Sequence, residues 1–367
     1  MNFTPEQLTL NACHYHYNQC DEEALACIDL ALQQEPDYTF AYVMKAMITL
    51  SHGDYENGWP LLELLGHRDD ATKYGMNRYP DRPLWDGKPT DKKVLVWSSM
   101  GHGDMIMLFR YIPMIAKLAP NFVLETHPLL TDLAKHNKLA DRIISLGRHH
   151  EEFDLHWPLF SSPYLFKTTF ETIPPARYLD AEPFSTHEYP KIGLFCQSFS
   201  TYSEEALVRN LDDVSINRLG TAYKMLSLHK DGTFDFLDTA RRVKSLDLVV
   251  TTDSAVAHLV GAMGAPTFLM LPVQCCWRWL QNRTDSPWYP SIRIFRQKTP
   301  RDWVPVIDEV LEAIEQFGKF DWQPAAVKEM TDVEAIRYTR SIETPRVARA
   351  LGRADEWNRN VREKIPA

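Results

Sequence analysis

The stretch Leu246–Pro266, LDLVVTTDSAVAHLVGAMGAP, constrains the fold more than any other. Leu248, Val249 and Val250 form an apolar, β-branched run of the kind buried in a parallel sheet. Thr251, Thr252, Asp253 and Ser254 interrupt it with small oxygen-bearing side chains, the chemistry of a helix N-cap. Ala255 to Met263 then reads as a helix of small residues able to pack closely on a sheet. Gly264 stands where a C-cap is wanted, and Pro266 opens the next apolar strand, Thr267–Leu271. The unit is strand, polar turn, helix, strand. A helix that starts just beyond a strand's carboxyl end points unpaired N–H groups outward, which suits an anion such as a diphosphate. His258 follows Ser254 by four residues, so both share one face of the first turns. The spacing alone fits a capped core helix with a satisfied histidine equally well.

The 367 residues suit two or three domains, and 44% hydrophobic with 24% charged residues is ordinary for a soluble protein. A formal net charge of −9 argues against a nucleic-acid or anionic-membrane partner. The segment MNFTPEQLTL lacks a basic stretch followed by an apolar core, so no signal peptide is expected. No apolar run approaches the ~20 residues needed to span a bilayer. Six cysteines without paired CxxC spacing point to a reduced, cytoplasmic protein. Cys13, Cys20 and Cys27 recur every seven residues, which on helices predicts buried small-residue packing rather than metal ligation.

Residues 1–65 read as paired helices. Gln19/Gly53, Asp21/Tyr55, Ala24/Gly58 and Ala12/Ala46 match at an offset of 34, the tetratricopeptide (TPR) period, and Pro36 ends a second helix. Two repeats are few for a free-standing array, so docking on the next domain is expected. Residues 66–90 are rich in Pro, Gly and charge and read as a linker, with Leu84 and Trp85 as an anchor.

From Lys93 an α/β pattern begins. Strands are expected at Lys93–Trp97, Phe122–Thr126 and Arg142–Ser145, with helices at Asp104–Leu118 and Leu129–Asn137. Met100–Asp104, MGHGD, lies at a strand's carboxyl end. Its Gly101 and Gly103 let backbone approach a ligand, His102 belongs to the same loop, and Asp104 is read as the residue heading the helix. Phe153–Asp180, rich in Pro and aromatics, reads as irregular. A second start follows Pro190. Strands are expected at Lys191–Cys196, Met225–Leu228 and Ile292–Phe295, and helices at Leu211–Leu219, Phe236–Ser245 and Trp303–Phe317. The tail from Asp321 is charged and helical in pattern.

DSAVAHLVGAMGAP followed by PVQCCWRWLQNRTDSPWYPSIRIFRQ resembles the C-terminal signature of glycosyltransferase family 9, the ADP-heptose:lipopolysaccharide heptosyltransferase-like family. The likeness continues in Val94–Leu130 and Phe153–Pro174, and the chain resembles in particular the bacterial proteins that join TPR repeats to such a domain. It implies an α/β protein of GT-B type. A TPR-like domain (1–65) and linker (66–90) would precede an acceptor domain (91–189), a donor domain (190–320) and a helical tail (321–367).

The implied activity is inverting, metal-independent transfer of a sugar from a nucleotide-diphosphate sugar to an acceptor hydroxyl on a glycan or protein, without a cofactor. Asp104 matches the family's general base, and an ionised carboxylate can take the acceptor's proton. Thr252, Asp253, Ser254, Ala255 and His258 would hold the donor. Gly101, His102 and Gly103 would form an acceptor-side loop, and Phe153–Asp180 would line a cleft, with His156, Ser161, Ser162 and Thr169 as candidate acceptor contacts. The family's Asn/His/Lys-containing loop is replaced here by QSFSTYSEEALVRN, so Ser198, Ser200, Thr201 and Arg209 would supply its phosphate contacts. LSLHKDG runs almost directly into FDFLDTA where relatives place a further helix and strand, with Lys230 as partial compensation. These departures leave open an inactive relative serving as a binding or assembly module. Sugar modification of nucleic acid ranks below both. The TPR-like region could bind a protein partner or a second copy.

Overall fold

From Val94 onward, runs of three to five residues, mostly apolar and too short for helices, pair into two all-parallel sheets (computed structural model; residues 3–63, 78–98, 100–147, 152–184, 192–196, 208–222, 225–227 and 235–317 are described). The first holds β1 (Val94–Trp97), β2 (Phe122–Thr126), β3 (Arg142–Ser145) and β4 (Leu155–Pro158) in the order β3-β2-β1-β4. The second holds β5 (Ile192–Phe195), β6 (Met225–Ser227), β7 (Leu248–Thr252), β8 (Thr267–Leu271) and β9 (Ile292–Arg296) in the order β6-β5-β7-β8-β9. Every residue of β1, β2, β7 and β8 is buried, as expected of strands covered on both faces. Both orders reverse direction once, between β1 and β4 and between β5 and β7. Ligands of open α/β sheets bind outside the carboxyl ends of strands at such reversals.

The core follows the two-residue alternation of the strands. Leu248, Val250, Phe268, Met270 and Phe295 cluster with Val306, Ile307, Val310 and Ile314 of the helix Val304–Phe317. The helix Ala255–Met263 lies against β7 and β8, with every residue from Val256 to Met263 buried. Gly264 closes it in the left-handed region (φ 67°), as its C-cap position predicted.

Two expectations fail in the first sheet's half. The helix expected at Asp104–Leu118 is a helix His102–Leu108, a 3₁₀ turn Phe109–Tyr111 and a second helix Ile112–Leu118. Pro113 has no N–H to donate into a continuous helix, so it sits in the first turn of a new one. The stretch expected to be irregular contains β4. This strand lies at the sheet edge, where Pro158 at its end costs little. Leu84 bridges to His156, and Trp85 is buried, its Nε1 donating to the Lys88 carbonyl (2.8 Å).

The contacts divide the chain into two units, one of which holds both sheets. Within it the halves are joined by backbone: Leu179 N–H donates to the Ala262 carbonyl (3.3 Å).

Among its described residues the other unit holds four α-helices, Pro5–Tyr17, Asp21–Gln34, Thr39–Ser51 and Tyr55–Glu63, together with Cys276–Gln281. Their boundaries Pro5/Thr39, Tyr17/Ser51 and Asp21/Tyr55 recur at the 34-residue displacement. So does the turn: Gln19 and Gly53 both have positive φ, 59° and 79°. Thr4 and Gln7 form a capping box at the first helix. Leu8, Ala12, Ala24, Ile28, Ala31, Ala41 and Ile48 make the core. Of the three regularly spaced cysteines only Cys27 is buried there. Cys13 and Cys20 are half-buried, Cys20 preceding a helix rather than lying within one, so the seven-residue spacing does not mark one buried face. Trp277 meets Trp59 edge-on at 5.2 Å. Asp21 is buried and accepts from His16 Nδ1 (2.5 Å), His52 Nε2 (2.6 Å) and Gln281 Nε2 (2.8 Å). Burial acts to raise its pKa, but the histidine and glutamine hydrogen bonds outweigh it and hold the carboxyl far below the usual carboxylate range.

Candidate functional site

The turn after β7 stands at the reversal point of the second sheet. Ser254 takes the N-cap position of the helix Ala255–Met263 with extended backbone (φ −155°, ψ 171°). Its hydroxyl does not cap the helix, contrary to the sequence expectation. The Ser254 and Thr252 hydroxyls are buried and have no hydrogen-bond partner among the described residues. An unsatisfied buried hydroxyl costs about 1–3 kcal/mol, which a ligand hydrogen-bonding to it would recover. The first-turn N–H groups also lack a side-chain cap, and together these groups favour an anion.

Arg209, downstream of β5, reaches the same strand ends. Its Nε lies 3.6 Å from Asp253 Oδ2, and the Asp253 side chain is only 5% exposed. Asp253 is thus a buried counterion to Arg209. The expected contacts Ser198, Ser200, Thr201 and Lys230 lie outside the described residues.

The loop after β1 stands at the reversal point of the first sheet. Gly101 is the N-cap of the helix His102–Leu108, and Asp104 is its third residue, not its cap. The Gly101 N–H donates to Asp104 Oδ2 (3.1 Å), and Asp104 is half-buried. His102 stacks on Phe236 (5.5 Å, 30°) beside His127 (4.7 Å), whose Nε2 donates to the Met100 carbonyl (2.8 Å). Burial, with His127 adding to it, pushes the His102 imidazole below its ordinary pKa.

The two turns meet. A Cβ on Gly103 would lie 2.7 Å from His258 Cδ2 and 3.2 Å from Ala255 Cα. The expectation that Gly103 admits a ligand is therefore corrected: its missing side chain admits His258 and Ala255. Gly101 has no such constraint, since a Cβ there would meet only Asp104 Oδ2 at 3.4 Å.

His258 is buried, and its Nδ1 is 2.9 Å from the Tyr289 hydroxyl. Behind Tyr289 lies a cluster that sequence reasoning missed. Arg110, 3% exposed, donates from Nε to the Met107 carbonyl (2.9 Å), from Nη1 to the Pro174 carbonyl (3.2 Å) and from Nη2 to the Trp288 carbonyl (3.0 Å). Its guanidinium carbon lies 5.0 Å from the ring centroids of Tyr178, Trp288 and Tyr289. The signal was present: Arg110 is the one charge in the run MIMLFRYIPMI.

Other candidates lie elsewhere. His156 is buried within the first sheet, Nδ1 accepting from Trp97 Nε1 (3.1 Å) and Nε2 donating to the Arg82 carbonyl (3.2 Å). Ser162 is buried and accepts from Trp157, Ser161 is also buried, and half-buried Thr169 donates to Glu171 (2.5 Å). Among the described residues, no three His, Cys, Asp or Glu side chains are grouped to hold a metal, and no helix is long and apolar enough to cross a membrane.

No family model matches the chain. Protein FlbA of Caulobacter vibrioides is 23% identical over 361 residues, covering 81% of this chain; the chain spans 59% of that relative's length. Among solved structures, the chain is similar to a family 9 glycosyltransferase from Veillonella parvula (12% identity, 62% of this chain and 97% of that one, TM-score 0.41). It is also similar to the iron-containing dodecameric glycosyltransferase TibC from enterotoxigenic E. coli (13%, 73% and 77%, 0.45) and to the E. coli heptosyltransferase WaaC with ADP (11%, 61% and 99%, 0.40).

Proposed function

We propose that this chain is a GT-B nucleotide-sugar glycosyltransferase, inverting and metal-independent, acting on an acceptor hydroxyl. One observation carries the reading: Gly103, beyond β1, packs on His258 and Ala255, beyond β7, so the reversal points of two parallel sheets form one site. In this reading the uncapped helix start, Thr252, Ser254 and His258 receive the diphosphate, whose negative charge grows as it leaves. The acceptor oxygen attacks the anomeric carbon, the bond from that carbon to the diphosphate breaks, and the acceptor's proton passes to Asp104.

A thermal-shift screen of the full chain against nucleoside diphosphates and nucleotide sugars tests this. A ligand at 100 times its Kd adds about 2.7 kcal/mol of stability. If no such compound stabilises the chain, the reading fails.

The Arg209–Asp253 pair favours a second reading, a catalytically inactive binding or assembly protein. A guanidinium held beside a buried carboxylate has less charge to offer a diphosphate. Donor binding without transfer would select it. The 34-residue helix displacement supports a TPR-like role for residues 1–65, as a surface for an acceptor, a protein partner or a second copy. Six cysteines, none in a disulfide, suit a cytoplasmic setting.

A further inference from the structure

Resting on the donor-site reading above, we infer that Tyr289 is a positioning residue. Its hydroxyl donates to His258 Nδ1 and so places the imidazole proton on Nε2, toward the Gly101–Asp104 loop.

The contact is built into the helix Ala255–Met263. His258 and Gly261 share a face at three-residue spacing. A Cβ on Gly261 would lie 2.4 Å from Tyr289 Cγ, so only glycine lets that ring lie flat enough on the helix to reach His258. The two rings meet edge-on at 5.7 Å. Tyr289 is 0% and His258 5% exposed, so the imidazole cannot readily trade this partner for water.

The direction of the bond follows from the surrounding charges. Arg110 can only donate, and its guanidinium stands over both Tyr178 and Tyr289. Tyr178 gives its own proton to the Ile106 carbonyl (3.0 Å), which leaves its oxygen as a second acceptor beside Tyr289, but a neutral imidazole nitrogen is a stronger acceptor than a phenol oxygen. Burial first, then Tyr178, keep Tyr289 a neutral phenol despite the opposing pull of Arg110. A phenol beside a cation turns its lone pairs toward it and its O–H dipole away, here toward Nδ1. The opposite arrangement would point an imidazole N–H at a phenol that already faces a guanidinium. With Nδ1 accepting, Nε2 is a donor, which a diphosphate oxygen requires; the other tautomer would present a lone pair to an anion.

The test uses the full chain with ¹⁵N-labelled histidine and long-range ¹H–¹⁵N correlation at neutral pH, His258 being identified by its loss in His258→Gln. The expected result is a bare Nδ1 and a protonated Nε2, with Tyr289→Phe populating the second tautomer and weakening ADP binding about tenfold. A wild-type proton on Nδ1, or an unchanged tautomer in Tyr289→Phe, overturns the inference. Should Tyr289→Phe fail to fold, 3-fluorotyrosine placed at position 289 decides. The stronger phenol donor must move the Nδ1 resonance, and an unmoved resonance is refutation. ADP failing to bind the wild type counts against the donor-site reading, and the ligand-free tautomer then decides this one alone.

Discussion

His258 occupies the space that a side chain at Gly103 would need. The φ of Gly103 is not left-handed, so room, and not backbone freedom, demands glycine there. The ring cannot swing aside without leaving Tyr289, and Ala255 Cα belongs to helix backbone.

Gly103→Ala should therefore cost about 1–3 kcal/mol of stability, the range for overpacking. ADP affinity should fall with it, because the two turns are pushed apart. Urea unfolding and calorimetry check both. Wild-type stability and affinity together would show that the turns are not held in contact.

Asp104→Asn should leave ADP binding intact and lower kcat by about 10²–10⁴, since an amide keeps the shape but cannot take a proton. As the third helical residue, an asparagine can still accept from Gly101, and losing the charge near the helix start costs only about 0.3–1 kcal/mol. Turnover above about a tenth of wild type, once donor and acceptor are known, would remove Asp104 from the mechanism.

Arg110→Met should destabilise the unit holding both sheets by about 3–5 kcal/mol, as breaking buried charged networks does. Methionine fills much of the volume but removes the guanidinium hydrogen bonds to the Met107, Pro174 and Trp288 carbonyls, of which Met107 keeps a longer one from Tyr178 (3.3 Å). A loss below about 1 kcal/mol in urea unfolding would mean that water replaces the guanidinium there.

Asp21→Asn should loosen the four-helix unit by about 3 kcal/mol at neutral pH. The folded-state pKa of Asp21 is depressed, so its contribution is complete above the ordinary carboxylate value and is lost as pH falls toward the folded one. The gap between wild type and variant should hold at pH 6 and narrow below about pH 4. Hydrogen exchange of amides in the helix Asp21–Gln34 reads that gap. A gap independent of pH would show that shape, not charge, matters at Asp21.

Short-range chemistry made much of the fold legible from the residues. Phe122–Thr126, Arg142–Ser145, Ala255–Met263 and Thr267–Leu271 run between the boundaries expected from apolar runs, Gly264 and Pro266. The 34-residue displacement was equally visible, because turn residues such as Gln19 and Gly53 announce local backbone conformation. β4 was not visible, since a strand carrying His156 and Pro158 has no distinctive periodicity and forms only when β1 offers it an edge. The site was half legible: the polar turn and the glycine loop stood out, but not their contact. Tertiary structure alone decided that Gly103 faces His258, that Asp253 is spoken for by Arg209, and that Arg110 reaches a carbonyl 178 positions away. Helices and strands are set by neighbours along the chain, whose preferences a sequence displays. A buried histidine or arginine is set by whichever distant groups satisfy it, and those are chosen only when the sheets have closed on each other.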